Sequence, residues 1–200
     1  MKLTLVRHAR PHHVVDDPAG ADPDLTDEGH EQARVLAAWF EQTGKRADAI
    51  VSSTMRRAQQ TAAPLARALG LSVTTDERLV ELDHGWSSYG MVFGAADERA
   101  AAFASLNAGV WGEESFDPAA FCARVVAGVE DQVAAHPDGN VVVVCHGGVI
   151  SAYVAHVVGS PRTMLISPAY TSLTRVLALP DGHREILTIN ETPHVVRTPR

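Results

Sequence analysis

The chain alternates short apolar runs with longer amphipathic segments, which is the pattern of an α/β protein. The predicted strands are residues 2–6, 49–51, 71–74, 141–145, 171–179 and 185–189. Apolar side chains recur at helical spacing between them, and the predicted helices are residues 27–42, 56–69, 97–106, 118–136 and 149–159. Strands that alternate with helices form parallel βαβ units. The pattern therefore predicts a three-layer αβα sandwich with a mostly parallel central sheet.

The alternation is interrupted between residues 84 and 117. Among its scattered glycines this stretch contains the aromatic side chains Trp86, Tyr89, Phe93, Trp111 and Phe116. We interpret it as a small inserted cap on a single domain that spans residues 1–200. The aromatic side chains could line a binding site or pack the cap onto the core.

Composition restricts the function. Hydrophobic residues at 46% and charged residues at 20% are ordinary for a globular protein. The net charge of −7 argues against non-specific binding to nucleic acid or to an anionic membrane, both of which require a basic face. We expect a cytoplasmic location. The two cysteines do not suggest a disulfide framework, the first apolar run is too short for a signal peptide, and no apolar stretch is long enough to span a bilayer. A homodimer through the last hairpin or an outer helix is one expectation for its assembly.

Two of the predicted strands end on a histidine. The first runs into Arg7 and His8, and the fourth runs into His146, Gly147 and Gly148. In an open α/β sheet, ligands bind at the carboxyl ends of the strands. A neutral imidazole can attack phosphorus, an arginine fork suits phosphate oxygens, and glycine lets the backbone approach a ligand closely. These strand ends indicate a phosphoryl-binding site.

Two further segments add candidate groups. Residues 52–62 (SSTMRRAQQTA) follow a strand and open a helix, a position that favours anions. Arg56 and Arg57 point about 100° apart on a helix, so at most one faces the site squarely. Glu81 and Asp83 lie in an acidic segment; on a strand they would share one side, and either could protonate a leaving alkoxide and later activate water.

Five segments in register resemble the histidine phosphatase superfamily, also called phosphoglycerate mutase-like. They are LVRHA at 5–9, LTDEGHEQA at 25–33, SSTMRRAQQTA at 52–62, ELDHGWSSYG at 81–90 and VVVCHGG at 142–148. Residues 190–194 (Asn-Glu-Thr-Pro-His) are similar to the family's tail. The resemblance covers nearly the whole chain in the expected order, and it implies the fold that the hydrophobic pattern predicts.

The resemblance implies roles for five residues. His8 would accept the phosphoryl group, and Arg7 and Arg57 would clamp its oxygens. His146 would be the second histidine of the pocket, and Glu81 would act first as proton donor and then as base. No metal and no organic cofactor are expected.

The chain departs from the family pattern directly after the nucleophile. Residues 10–13 (Arg-Pro-His-His) stand where many relatives carry side chains that contact the phosphate, so Arg10 or His13 could replace those contacts. A metal hydrolase using His8, His12 and His13 is a different interpretation. It would need a helix here, which Pro11 disfavours.

The expected function is hydrolysis of a small phosphomonoester through a phosphohistidine, in the phosphatase branch of the superfamily. A mutase is the nearest alternative, but mutases usually carry a longer and more basic insertion, and Arg99 is the only Lys or Arg between residues 84 and 117. The apolar cap suits an apolar or bulky alcohol, with Trp86 and Tyr89 as candidate contacts. A non-catalytic protein that binds a phosphorylated ligand is a third alternative, although all five catalytic positions are filled.

Overall fold

The structure, a computed structural model, describes residues 1–90 and 95–195. Its strands are β1 (Lys2–Arg7), β2 (Ala49–Ser53), β3 (Val73–Asp76), β4 (Val110–Trp111), β5 (Glu114–Ser115), β6 (Asn140–Cys145), β7 (Leu173–Ala178) and β8 (Arg184–Glu191). Its helices are α1 (Asp27–Gln42), α2 (Arg56–Leu69), α3 (Ala96–Asn107), α4 (Pro118–Ala135) and α5 (Gly147–Val157), with a one-turn 3-10 helix at Glu77–Leu79. Phe93 of the predicted aromatic cluster lies outside the described residues.

The central sheet has the strand order β3-β2-β6-β1-β7-β8. The pairs β3–β2, β2–β6 and β6–β1 are parallel, and the hairpin of β7 and β8 adds two antiparallel pairs. β4 and β5 form a separate two-stranded ribbon in the predicted cap segment. The predicted mixed α/β fold with a mostly parallel central sheet is confirmed.

The sheet is covered on both faces because its strands alternate apolar side chains between them. In β6, Val141 and Val143 join a core cluster with α4 and α5, whereas Val142 and Val144 join a second cluster with α1 and α2. All four valines are buried. Burial on both faces explains why this strand is continuously apolar.

Local capping sets the helix boundaries. The Thr26 side chain accepts the Gly29 amide at the start of α1, and Asp117 accepts two amides at the start of α4. Gly70 ends α2 in a left-handed conformation at φ 68°, and the Leu71 amide still donates to a carbonyl of that helix. The third strand therefore begins at residue 73 and not at the predicted residue 71.

None of the helices in the described part of the chain combines the length and the apolar character that crossing a bilayer requires.

Candidate active site

The parallel pairing of β1 and β6 brings the two strand-end histidines together. Arg7 lies opposite Cys145 in the register, and the His8 amide donates to the Cys145 carbonyl at 2.8 Å. The centroids of the His8 and His146 rings are 5.1 Å apart. Both side chains are buried. The two imidazoles therefore share one site at the carboxyl edge of the sheet.

The His8 ring is held in one tautomer. Its Nδ1 lies 2.7 Å from the Ala9 carbonyl oxygen, which can only accept, so Nδ1 carries the proton. Nε2 is then left with a free lone pair. Burial, together with the positive charges of Arg57 and Arg7, holds the pKa of His8 well below its usual value. The His8 imidazole is therefore neutral at neutral pH and fixed in orientation.

The His146 ring is anchored at one nitrogen only. Its Nε2 lies 2.8 Å from the Ser53 hydroxyl oxygen at the end of β2. Its Nδ1 is buried without a hydrogen-bond partner. Burial lowers the pKa of His146, and the cationic Arg57 lowers it further. When the Ser53 hydroxyl donates to Nε2, Nδ1 carries the ring proton, and an anion beside it would supply the missing partner.

Of the two adjacent arginines at the start of α2, only Arg57 turns inward. Its side chain is 0% exposed and its Nη2 donates to the Asp83 carboxylate at 2.9 Å. Arg56 is 57% exposed and binds Asp24 on the surface. The Nε atoms of Arg7 and Arg57 and Nη1 of Arg57 are buried without a hydrogen-bond partner. These guanidiniums therefore keep donors in the interior that make no hydrogen bond, although Arg57 Nη1 also lies 3.6 Å from an Asp22 carboxylate oxygen.

The half-buried guanidinium of Arg7 and the buried guanidinium of Arg57 each stack on a tyrosine. The Arg7 Cζ lies 4.2 Å from the Tyr170 ring centroid, and the Arg57 Cζ lies 4.5 Å from that of Tyr89. Burial and the neighbouring Tyr170 raise the pKa of Tyr89 above its usual value, so the phenol stays protonated. The sequence did not predict a place for Tyr170 in the site, because this residue lies in the loop before β7 and outside every motif.

Glu81 enters the site from a turn. Its Oε1 accepts the Leu82 amide at 2.9 Å and its Oε2 accepts the Gly148 amide at 2.7 Å. Burial and the nearby Asp83 carboxylate raise the pKa of Glu81, while the two amides oppose this shift. The carboxyl group therefore holds its proton at a higher pH than an exposed glutamate does.

The segment around Glu81 is a turn and not a strand. The His84 amide donates to the Glu81 carbonyl and the Trp86 amide donates to the Asp83 carbonyl. The two carboxylates consequently have different partners. Asp83 binds Arg57, and burial raises its pKa while that guanidinium holds it down. Asp83 therefore positions Arg57, and Glu81 is the carboxyl group available for proton transfer.

Two segments brace the backbone that follows His8. The Ala9 amide donates to the Thr61 hydroxyl at 2.9 Å, and the same hydroxyl donates to the Arg57 carbonyl at 2.7 Å. The Arg10 amide donates to Gln32 at 2.9 Å, and the Arg10 carbonyl accepts the Thr26 amide at 3.0 Å. Two of the motifs noted in the sequence thus hold the loop after His8 in place.

The pocket beside His8 contains some of the predicted substrate contacts and not others. Tyr89 and Gly147 line it together with Arg7, Glu81 and Asp83. Arg10 does not line it, because its guanidinium extends outward to Glu28.

Trp86 also does not line this pocket. It lines a neighbouring cavity with His13 and Trp111, and its ring centroid lies 6.4 Å from that of Phe116. Packing the cap onto the core therefore accounts for Trp86.

Within the described residues, no group of three or more His, Cys, Asp or Glu side chains could hold a metal ion. His12 is exposed, and its amide donates to the Asp24 carbonyl. The metal-hydrolase interpretation has no support in this geometry.

Comparisons with known proteins identify the family. The family model of the histidine phosphatase superfamily (branch 1) matches residues 3–192. Phosphoserine phosphatase 1 from Hydrogenobacter thermophilus is 40% identical over 93 residues, which are 44% of this chain and 42% of that relative. That alignment thus spans less than half of the relative. Glucosyl-3-phosphoglycerate phosphatase from Mycobacterium tuberculosis is 35% identical over 173 residues, 80% of this chain and 76% of that relative.

A solved structure of a mycobacterial glucosyl-3-phosphoglycerate phosphatase in complex with VO3 superimposes with a TM-score of 0.74. It is 26% identical, and the match covers 96% of this chain and 99% of that one. The family resemblance found in the sequence is confirmed by these matches. The chain belongs to the histidine phosphatase superfamily, branch 1.

Proposed function

We propose that this protein hydrolyses phosphomonoesters of small molecules through a phosphohistidine formed at Nε2 of His8. One observation carries the proposal. Four buried nitrogen atoms beside His8 lack a hydrogen-bond partner: Arg7 Nε, Arg57 Nε, Arg57 Nη1 and His146 Nδ1. Buried donors are rarely left unpaired, and a phosphoryl group offers three acceptor oxygens with compensating negative charge.

The first step transfers the phosphoryl group to the enzyme. The lone pair on Nε2 of His8 forms a bond to phosphorus as the bond from phosphorus to the ester oxygen breaks. The leaving oxygen takes the proton of Glu81, whose raised pKa keeps the acid form available. Arg7, Arg57 and His146 stabilise the charge on the three equatorial oxygens, so catalysis rests on positioning and electrostatics.

The second step regenerates the enzyme. Glu81, now a carboxylate, accepts a proton from water as the water oxygen bonds to phosphorus. The Nε2–phosphorus bond breaks, its electron pair returns to His8, and inorganic phosphate leaves. Glu81 ends the cycle protonated, as it began. Neither step requires a metal ion.

The alcohol part of the substrate would lie against residues 84–117, which we propose to be a cap on a single domain. Tyr89 of this segment and Phe103 and Leu106 of α3 line the same pocket as His8. Relatives named as phosphatases of phosphoserine and of glucosyl-3-phosphoglycerate support a small phosphorylated substrate.

The test is turnover of 4-nitrophenyl phosphate by His8→Ala, compared with His183→Ala in the exposed turn before β8. We expect His8→Ala to lose turnover and His183→Ala to keep it. Brief reaction with labelled substrate should give an acid-labile phosphoryl label that the His8→Ala protein lacks. Turnover by His8→Ala at the wild-type rate would refute the proposal.

The same assays separate the two alternative functions. A mutase would isomerise 3-phosphoglycerate when bisphosphoglycerate is present, whereas we expect only release of inorganic phosphate. A protein that merely binds a phosphorylated ligand would show a dissociation constant for orthophosphate but no labelled histidine.

A further inference from the structure

One wall of the active-site pocket consists of hydrocarbon side chains from three separate segments. Leu82 follows Glu81 in the turn, Phe103 and Leu106 belong to α3, and Met164 and Ile166 lie in the loop between α5 and β7. Leu82, Leu106 and Met164 are buried, and all five belong to or pack against the core cluster on that face of the sheet. The pocket thus opens onto part of the hydrophobic core.

This apolar wall, as we call these five residues, is held together by polar contacts behind it. The Asn107 side chain accepts the Met164 amide at 2.9 Å and donates to the Met164 carbonyl at 2.9 Å. The Ser151 hydroxyl accepts the amides of Leu165 and Ile166. The loop is therefore tied to α3 and α5 before any ligand arrives, and a preorganised surface loses little entropy on binding.

The wall adjoins the group that protonates the leaving oxygen. A Cβ atom placed on Gly148 would lie 2.3 Å from Oε1 of Glu81 and 3.1 Å from Cδ2 of Leu82. Both side chains therefore lie next to Gly148. An alcohol that receives the proton of Glu81 therefore has its carbon skeleton beside Leu82.

Charge in the pocket is confined to the phosphoryl end. Among the described residues that line it, the charged or titratable side chains are Arg7, His8, Glu81, Asp83 and Tyr89, and the apolar wall carries none. The phosphoryl group engages Arg7. A second anionic group on the alcohol would lose its water against hydrocarbon near two carboxyl groups, at a cost of several kcal/mol. An apolar skeleton would gain about 25 cal/mol for each Å² that it buries.

We propose that the substrate is a phosphomonoester whose alcohol has an apolar aryl or alkyl skeleton and no second anionic group. This inference rests on the proposed function and adds the class of alcohol. It separates this chain from enzymes that act on phosphoserine or a phosphoglycerate, both of which carry a carboxylate beside the ester.

The experiment compares 2-phenylethyl phosphate with 3-phosphonooxypropanoate. The leaving group of each ester is a primary alkoxide of similar basicity. The two substrates therefore differ mainly in that one carries a phenyl ring where the other carries a carboxylate. We expect kcat/KM to favour the phenylethyl ester by about tenfold or more. Dissociation constants of both esters for the His8→Ala protein, measured by calorimetry, should show the same preference without turnover.

Ile166→Lys places a cation in the wall, and it should shift the ratio of the two kcat/KM values about tenfold toward the carboxylate ester. Val158→Lys is the matched control because Val158 is 57% exposed at the end of α5, and its ratio should equal that of the wild type. Equal values for the two esters, or a preference for the carboxylate ester, would overturn the inference.

Failure of the proposed function has a different signature. In that case neither ester nor 4-nitrophenyl phosphate is turned over. The dissociation constants of the two esters for the His8→Ala protein, measured by calorimetry, would still show whether the apolar wall favours the phenyl ring or the carboxylate.

Discussion

The Gly148 amide nitrogen lies 2.7 Å from Oε2 of Glu81, at the first turn of α5. This hydrogen bond orients the carboxyl group of Glu81, the proposed proton donor, toward the pocket. The contact leaves no room for a side chain at position 148. A Cβ atom on Gly148 would lie 2.3 Å from the other carboxylate oxygen, a separation that only displacement of Glu81 could relieve. The glycine therefore sets the position of the carboxyl group.

We expect Gly148→Ala to lower kcat strongly for alkyl phosphomonoesters and to lower the free energy of unfolding by about 1–3 kcal/mol, because displacing Glu81 strains its hydrogen bonds to two buried amides. Gly147→Ala is the matched comparison, since its Cβ would meet nothing closer than Arg7 Nε at 3.6 Å. Steady-state kinetics and urea unfolding measure both quantities. Equal losses of kcat in the two variants would show that the contact with Glu81 is unimportant.

Glu81→Gln should lower kcat/KM for an alkyl ester by about 10²–10⁴-fold and lower it far less for 4-nitrophenyl phosphate, whose leaving group needs no proton. Glu77→Gln, an exposed residue four positions earlier, should behave as the wild type. A variant that loses the same factor on both esters would contradict a role in protonating the leaving group.

The pH dependence follows from the two opposite pKa shifts. The reactive enzyme has neutral His8, whose pKa is lowered, and protonated Glu81, whose pKa is raised. The ratio of kcat/KM for an alkyl ester to that for 4-nitrophenyl phosphate should fall as rising pH removes the proton of Glu81. In Glu81→Gln this ratio should be low and independent of pH. Comparing the two esters cancels the titration of His8.

Asp83→Asn should lower the free energy of unfolding by about 3 kcal/mol, because it removes a charged partner from the buried Arg57 guanidinium. Orthophosphate should raise the Tm of this variant more than that of the wild type, since it supplies the missing negative charge. The control is Asp131→Asn, which breaks a largely exposed pair with Arg78 and should cost about 0.5 kcal/mol. An unchanged Tm shift with orthophosphate would contradict this account.

Tyr170→Ala should raise KM for phosphomonoesters by up to about tenfold, because the ring that orients the Arg7 guanidinium is lost. Tyr170→Phe keeps the ring and should retain a KM near that of the wild type. Similar KM values for the alanine and phenylalanine variants would show that the stacking does not matter.

Thr61→Val should lower both kcat and the free energy of unfolding, the latter by about 1–3 kcal/mol, since the buried Ala9 amide loses its acceptor. The Ala9 carbonyl accepts the hydrogen bond from Nδ1 of His8. The variant therefore also weakens the backbone that orients the proposed nucleophile. Thr61→Ser restores the hydroxyl and should recover kcat. Denaturant titration and steady-state kinetics measure the two quantities. A Thr61→Val protein that is destabilised but has the wild-type kcat would contradict this role of Thr61 in catalysis.

The strands and helices were predictable because their signals are local. A continuous apolar run predicted β6, and the hydroxyl of Thr26 together with Gly70 marked helix ends whose hydrogen bonds join neighbours in the chain. The histidines at the ends of β1 and β6 could be placed side by side because parallel pairing fixes register.

The sequence by itself determined the order of the elements and the family, and it proposed five groups for the chemistry. Only the tertiary structure decided which of the neighbouring residues reach the pocket. Arg10 turned out to bind Glu28, while Tyr170 came to stack on Arg7 across 163 positions of chain and Ile166 came to line an apolar wall. The physical reason is that such contacts depend on how distant segments pack together, and no local pattern of residues encodes that packing.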